Sequence, residues 1–472
     1  MQAILDFFTG TLNSVAWIWI LLPCVAIGGV LFTVLNRGMQ FTKLGYALKN
    51  TIGKAFSKKE TAKGSISPFQ AMTTALAGTV GTGNIVGTCQ AIAMGGYGAI
   101  FWLIVAGLLG MIIKYSEVVL SVHYREKNEN GEWVGGPMYY ITKGLGKNWK
   151  WLAILFAGFA VLASFGIGNL SQANSISGSI SNAIATFASG ASEYTTVIGI
   201  VVGVVIAVLT AFVLFGGIKR IGSVTEKLVP FMCVLYIIFS LIVICFNVQY
   251  IGLAFVTIFK SAFTFKAVAG GSFGAVVIWG LRRSAFSNEA GLGSAGMAHA
   301  TADTEGPVQQ GLFGIFEVFA DTIVVCTLTG LAVITPAVAG KITVVFGEKP
   351  GSELVTSAFA TVFGPHFAAI FVAIALALFA YSTILGWSFY GTRCIEYLFG
   401  TKATKIYQAV FVLMTIVGSV ASLGVVWDLA DTFNGLMAIP NFIALFALSG
   451  VVAKLTRDHF SKDKLKIRDD KK

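Results

Sequence analysis

The stretch Ala77–Asn84, AGTVGTGN, lies at the centre of an apolar segment that runs from about Pro68 to Met94 and is long enough to cross a bilayer. It carries Gly78, Gly81 and Gly83, with Thr79, Thr82 and Asn84 between them. Each glycine weakens a helix by roughly 1 kcal/mol relative to alanine, so this spacing predicts that the helix opens there. An opened helix exposes amide and carbonyl groups that lipid cannot satisfy, and such a break persists only where it lines a cavity or binds something polar. Discontinuous helices of this kind mark the substrate and ion sites of secondary transporters. A phosphate-binding loop is excluded, because GTVGTGN lacks the Lys-Ser/Thr ending and a preceding soluble strand.

With 56% hydrophobic and only 12% charged residues among 472, the chain has too much apolar surface for a soluble fold. The reading is an all-α polytopic membrane protein with eleven transmembrane helices, at about 12–36, 67–95, 97–123, 150–184, 195–215, 228–247, 268–299, 308–335, 364–392, 404–423 and 433–453. Segments 150–184 and 268–299 exceed one span, so they include tilt or extramembrane turns, and 249–266 fits a short interfacial helix. The linker after the first span carries Arg37, Lys43, Lys49, Lys54, Lys58, Lys59 and Lys63, and every second loop and the tail from Lys454 are also basic. The intervening loops hold only Lys260, Lys266, Lys341 and Lys349. This alternation puts the N-terminus outside and the C-terminus in the cytoplasm. The net charge of +11 thus reflects topology and anionic lipid rather than nucleic acid. The N-terminus lacks the basic region of a cleaved signal peptide. The six cysteines fall in or at the end of apolar segments, with no metal spacing and no disulfide expected.

The two halves share an architecture. Segment 67–95 begins inside and is glycine-broken. Segment 268–299 begins outside and carries Gly270, Gly271, Gly274, Gly280, Gly291, Gly293 and Gly296. Each opens a run of five spans, which is the pattern of an inverted repeat with a binding site where the broken helices meet near midplane. The expected organisation is a peripheral helix and basic linker over 1–66, a first repeat over 67–247, an outer connection and second repeat over 248–453, and a basic tail over 454–472. An opened first helix presents amide groups, and the positive end of its second half, to a carboxylate, so no arginine is required to hold one.

Six motifs in order, GTVGTGNIVGTCQAIAMGGYGAIFW, GGPMYYITKGLG, NLSQANSIS, FSNEAGLGSAGMAHA, LFAYSTILGWSFYG and GLMAIPN, resemble the alanine or glycine:cation symporters of bacteria and archaea. The resemblance covers nearly the whole chain; Gly296 stands where that family often has proline. It implies a LeuT-like 5+5 inverted repeat with one extra N-terminal helix, in a prokaryotic inner membrane. It also implies sodium as coupling ion and a small neutral amino acid, alanine or glycine, as substrate, with glutamine an alternative. No obligate protein partner is evident.

On this resemblance the substrate is expected at Thr79, Gly81, Thr82 and Asn84 of the first break, at Gln172 and Asn174 in GNLSQANSIS, and against Phe273, Ile278 and Trp279 of the second broken helix. Asn169 and Gln172 share a helical face, whereas Asn174 points elsewhere. The same fold implies a sodium site between the first break and Tyr381-Ser382-Thr383. Sodium wants oxygen ligands, which the carbonyls of Ala77, Val80 and Phe379 and the hydroxyls of Ser382 and Thr383 would supply.

Lys114, Glu117, Arg282, Arg283, Glu289, Glu317 and Asp321 lie within apolar segments, where an unpaired charge costs ~3 kcal/mol or more. The expectation is a structural or gating network joining Glu317 and Asp321 to the two arginines, with these acids the candidates for proton coupling. A channel is disfavoured by the absence of a ring-forming filter motif. An intramembrane enzyme is disfavoured by the absence of a His-Glu-x-x-His, Gly-x-Ser-x-Gly or paired-Asp motif.

Overall fold

The computed structural model describes residues 6–51, 53, 64–188, 190–264, 273–421 and 424–469. In chain order the helices are α1 (Phe7–Leu35), α2 (Pro68–Thr79), α3 (Thr88–Gly95), α4 (Ala99–His123), α5 (Lys147–Phe187), α6 (Thr195–Leu214), α7 (Gly217–Phe246), α8 (Phe273–Asn288), α9 (Ser294–His299), α10 (Pro307–Val338), α11 (Pro365–Phe399), α12 (Ala403–Val420), α13 (Gly424–Ala447) and α14 (Ser449–Asp469). Among the described residues nine of these are continuous helices long and apolar enough to cross a membrane. They are α1, α4 to α7 and α10 to α13, each overlapping an expected span, although α7 and α13 start earlier than expected and α11 runs on past its expected end. The two expected spans outside that set are 67–95 and 268–299, the two that glycines interrupt. They appear as α2 with α3 and as α8 with α9, none of which reaches span length alone. A short helix at Val248–Ala262 matches the expected interfacial one, whereas Glu353–Phe363 forms a further short helix that the sequence reading left unassigned.

Local chemistry explains where α2 starts and stops. Ser67 and Gln70 form a reciprocal capping box, and Pro68 takes the first helical position. At the other end Val80 is extended, with ψ 94°. Between α8 and α9 the backbone turns left-handed at Glu289, Gly291 and Gly293, with φ of 55°, 93° and 78°. Two glycines make this turn cheap, and Glu289 is the non-glycine that bears strain there.

α4 lies against α8, α9 and α10, while α5 packs on α11 and α6 on α12. α7 then packs on α2 and α11, α13 packs on α5, and α1 covers α4. The α4–α10 contact depends on small residues: a Cβ at Gly311 would lie 2.7 Å from the Tyr115 ring, and one at Gly107 2.6 Å from Thr322. The outer face of α6 exposes Val201, Val205, Val208 and Phe212, an apolar stripe suited to lipid. After α4, Arg125 donates to the Ala300 and Ala302 carbonyls, and Arg393 at the end of α11 pairs with Glu132 at 2.8 Å.

Candidate functional site

The α2 break is fastened by its own asparagine. The Gly81 N–H donates to Asn84 Oδ1 at 2.8 Å, and Asn84 Nδ2 donates to Asp321 Oδ1 at 2.6 Å and to the Asp321 carbonyl at 3.2 Å. Asp321 also accepts from the hydroxyls of Ser287 at 2.9 Å and Thr322 at 2.8 Å. A buried carboxylate gathers the donors in reach, and Asn84 is one of them. Its side chain therefore ties the break to α10 and is turned from the position expected of a substrate ligand.

The break itself faces a small cavity of about 10 Å³, roughly the space of one water. Gly78, Thr79, Gly81, Thr82 and Gly83 form one wall, Ile167 and Gln172 a second, and Phe286, Glu289, Thr383 and Trp387 the rest. α5 contains a π-helical turn at Gly166–Leu170, and such turns recur at functional sites. Gln172 Nε2 donates to the Ile167 carbonyl of that turn at 2.9 Å. Its Oε1, like the Thr82 hydroxyl, is buried without a hydrogen-bond partner among the described residues. Gly81 is required by proximity: a Cβ there would fall on the Thr383 hydroxyl and 3.6 Å from Gln172 Oε1.

Four of the five oxygens expected around sodium meet at one locus. The Ser382 hydroxyl donates to the Phe379 carbonyl at 2.8 Å and the Val80 carbonyl at 3.3 Å, and Thr383 donates to Phe379 at 3.1 Å. Ala77 lies on the adjoining turn, against Gly386, where a Cβ would come 3.1 Å from the Ala77 carbonyl carbon. The donor set is all neutral oxygen, the chemistry that suits a hard cation.

Other expected residues lie elsewhere. Asn174 Nδ2 donates to the Ala421 carbonyl at 3.0 Å, so it locks α5 to the end of α12. Asn169, on the other face, likewise donates to the Phe411 carbonyl at 2.7 Å. Ile278 and Trp279 sit part-exposed on α8, and the Trp279 ring lies 5.2 Å from the Arg283 guanidinium, away from the cavity lining. Phe273 opens α8, and its side chain lies outside the described residues. Phe286 of α8 and Glu289 of the turn after it, which do reach the cavity, adjoin the break at Gly291 and Gly293. The seven glycines of this segment offered several break points, and only the last of them to turn left-handed identify the wall. Ile167 and Trp387 were also missed, although Trp387 follows Thr383 by one turn on the same face of α11.

The buried charges pair differently from the expected network. Lys114 lies 3.5 Å from Glu317, both fully buried, and His299 Nε2 lies 3.1 Å from the same carboxylate. Arg282 instead forms an ion pair with Asp431, and Arg283 stacks over Trp279 and Phe286. The arginines lie on α8 and the acid Glu317 faces α4, where Lys114 is nearer. Glu117 enters the second break: its Oε1 accepts from the Gly291 N–H at 2.9 Å, the Gly293 N–H at 3.0 Å and Asn441 Nδ2 at 2.7 Å. Glu289 accepts from Trp387 Nε1 at 2.7 Å and from the Ser294 hydroxyl.

Two broken helices thus meet around a small polar cavity. The model of the sodium:alanine symporter family matches residues 1–472. The chain belongs to that family. It is 45% identical over 460 residues to the sodium/alanine symporter AgcS of Methanococcus maripaludis, covering 96% of this chain and 97% of that protein. It is 37% identical over 467 residues to "Probable sodium/glutamine symporter GlnT" of Bacillus subtilis, covering 97% and 91%. The crystal structure of MhsT in complex with L-phenylalanine superposes with a TM-score of 0.57 at 15% identity, covering 84% of this chain and 99% of that one. That likeness establishes a shared fold. The family member described here is accordingly a multi-pass membrane transporter and not an enzyme.

Proposed function

We propose that this family member couples sodium entering the cell to uptake of a small neutral amino acid, alanine or glycine, by alternating access. The observation that carries this reading is the α2 break, where the Thr82 hydroxyl and the Gln172 carboxamide oxygen across from it have no hydrogen-bond partner among the described residues, beside a cluster of neutral oxygens from α11 and Val80. After the break a π-helical turn at Gly83–Gly87, with Thr82 before it, leads into α3, and the amino acid's carboxylate lies against the first amides of that helical run, where the helix dipole favours negative charge. Thr79, Gly81 and Thr82 line that end, and Gln172 Oε1 accepts from the ammonium group. Phe286, Ile167 and Trp387 leave room for a small side chain only, which favours alanine or glycine over glutamine. Sodium, as co-substrate, is held by the carbonyls of Ala77, Val80 and Phe379 and the hydroxyls of Ser382 and Thr383. Walls this close must part for substrate to pass, as alternating access requires. Counting α2 with α3 and α8 with α9 as one interrupted crossing each gives eleven crossings. The pairing of α4 with α10, α5 with α11 and α6 with α12 then follows the exchange symmetry of an inverted 5+5 repeat. An odd count with the basic loops in the cytoplasm leaves the N-terminus outside.

A second reading, proton coupling, is favoured by one observation: the Glu289 carboxylate reaches the cavity lining. Uptake of labelled alanine into proteoliposomes separates the two. Under sodium coupling, uptake collapses when choline replaces sodium at fixed pH, and Ser382→Ala and Thr383→Ala raise the sodium concentration needed, while Thr383→Ser is mild. High sodium then restores much of the alanine affinity of both variants by linkage. Undiminished uptake driven by a pH gradient alone, abolished in Glu289→Gln, establishes proton coupling instead.

A further inference from the structure

A cavity of about 720 Å³ opens where α1 leaves the apolar span, between the end of that helix, the turn after it and α14. It lies far in sequence from the residues at the two breaks and shares none of them. Three cations, Arg37, Lys43 and Arg457, line it, and among the described residues no acidic side chain does. Among the described residues none of the three has a carboxylate partner. Lys43 Nζ instead rests 5.4 Å from the centre of the Phe460 ring. The rest of the wall is largely apolar, and Val34, at the rim on α1, is 70% exposed on a face continuous with the membrane-spanning part of that helix.

Two further observations point to a ligand. α1 ends in a paired turn in which the Gly38 N–H donates to the Thr33 carbonyl at 2.7 Å and the Arg37 N–H to the Val34 carbonyl at 3.1 Å. Its first left-handed position, normally glycine, is held by Arg37 at φ 55°. An arginine in this strained conformation is a local sacrifice of stability of the kind that accumulates at functional sites. Beside it, Asn36 is only 6% exposed and lines the cavity, yet its Oδ1 has no hydrogen-bond partner among the described residues. Cations and one buried acceptor at the head, with an apolar wall opening along a transmembrane helix, match a molecule that has a phosphate, a hydrogen-bond donor and hydrocarbon chains.

We infer that this cavity binds one anionic phospholipid, its phosphate among Arg37, Lys43 and Arg457 and its chains along the outer face of α1. Such a lipid would brace α14 against the bundle, because Thr456 in the cavity floor meets the Tyr115 hydroxyl of α4 at 2.7 Å. The test is thermal unfolding of the purified, delipidated transporter in detergent, titrated with phosphatidylglycerol, with phosphatidylcholine of the same chains, and with soluble glycerol phosphate. Phosphatidylglycerol should raise the unfolding temperature at lower concentration than phosphatidylcholine, and glycerol phosphate should have no effect. Arg37→Gly suits the left-handed backbone, so lipid-free stability should be kept or improved while the apparent affinity for phosphatidylglycerol falls about fivefold, the equivalent of the ~1 kcal/mol each basic residue contributes near an anionic surface. The combined R37G/K43Q/R457Q variant should lose on the order of 100-fold on the same scale and respond equally to both lipids. Equal responses of the unmodified protein to the two lipids, or an affinity for phosphatidylglycerol unchanged by Arg37→Gly, overturn the proposal. A response to glycerol phosphate matching that to phosphatidylglycerol also overturns it, by making a soluble phosphate the occupant.

Discussion

The two helix breaks use one device for opposite ends. Both open a helix inside the membrane and so expose backbone groups in a medium that cannot solvate them. Between α8 and α9 the exposed N–H groups of Gly291 and Gly293 converge on a resident anion, the Glu117 carboxylate, which Asn441 also holds. Between α2 and α3 the side chain of Asn84 caps only the Gly81 N–H, and the Thr82 hydroxyl and Gln172 Oε1 across from it have no hydrogen-bond partner among the described residues. At one break the exposed amides are satisfied by the protein itself, through one oxygen of Glu117. The other is left incomplete. In a transporter the incomplete one is where a travelling ligand gains the most, because it supplies partners that the protein withholds.

This contrast is broken most severely at Glu117. Glu117→Ala leaves the Gly291 and Gly293 N–H groups without an acceptor and takes one of two partners from the Asn441 amide, which still donates to the Gly291 carbonyl, and each buried polar group without a partner costs roughly 1–3 kcal/mol. Lys114, close by on the same helix, also loses an acidic neighbour. The expected result is a large loss of monodisperse protein on heating in detergent, while Glu117→Gln, which keeps an acceptor oxygen at Gly291 and Gly293, retains much of the stability. If Glu117→Ala were as heat-resistant as the unmodified protein, the second break would not depend on its resident anion and the comparison would fail.

The sequence made one break more legible than the other, for a physical reason. In AGTVGTGN the glycines and hydroxyls cluster within a single turn or two, so the position of the opening is unambiguous, and Thr79, Gly81 and Thr82 do line the cavity. In the second helix glycines are scattered over 270–296, and helix propensity alone does not say which pair turns left-handed. The choice was made by Glu117, a residue on another helix more than 150 positions away, whose carboxylate stabilises the opening at Gly291 and Gly293. Tertiary hydrogen bonds of this sort leave no local trace. The same limit explains the charge network: seven ionisable residues in apolar segments announced that partners must exist, but Lys114 with Glu317 and Arg282 with Asp431 are decided by helix packing. The nine continuous spans among the described residues, in contrast, follow from hydropathy alone.

The incomplete break is probed at Gln172. Its carboxamide already gives one donor to the Ile167 carbonyl, so the side chain is held in place before any ligand arrives and its free oxygen is preorganised. Gln172→Ala removes an acceptor for a charged ammonium group, and such hydrogen bonds contribute about 1.5–3 kcal/mol. Alanine affinity of the purified variant, measured by calorimetry at saturating sodium, should fall roughly 10- to 150-fold with thermal stability little changed, since no protein donor loses its partner. A stability loss with unaltered affinity would make Gln172 part of a saturated structure like the second break.

The smallest effect is expected two residues further on. Asn174 shares a motif with Gln172 but not a direction: two steps along a helix turn a side chain by about 200°, and its amide donates to the Ala421 carbonyl of the α12 terminus. Interhelical hydrogen bonds of this kind average ~0.6 kcal/mol in membrane proteins, because alternative partners are found in the unfolded state. Asn174→Ala should therefore lower thermal stability slightly and leave both alanine and sodium affinities within about twofold. The paired measurement is informative because the residues are chemically alike and adjacent in sequence, so any difference between their variants isolates orientation toward the open break. A large loss of alanine affinity in Asn174→Ala, equal to that in Gln172→Ala, would mean that the end of α12 is itself coupled to the site. The incomplete break would then depend on the α5–α12 contact, and the separation drawn between a substrate-facing and a structural amide on α5 would not hold.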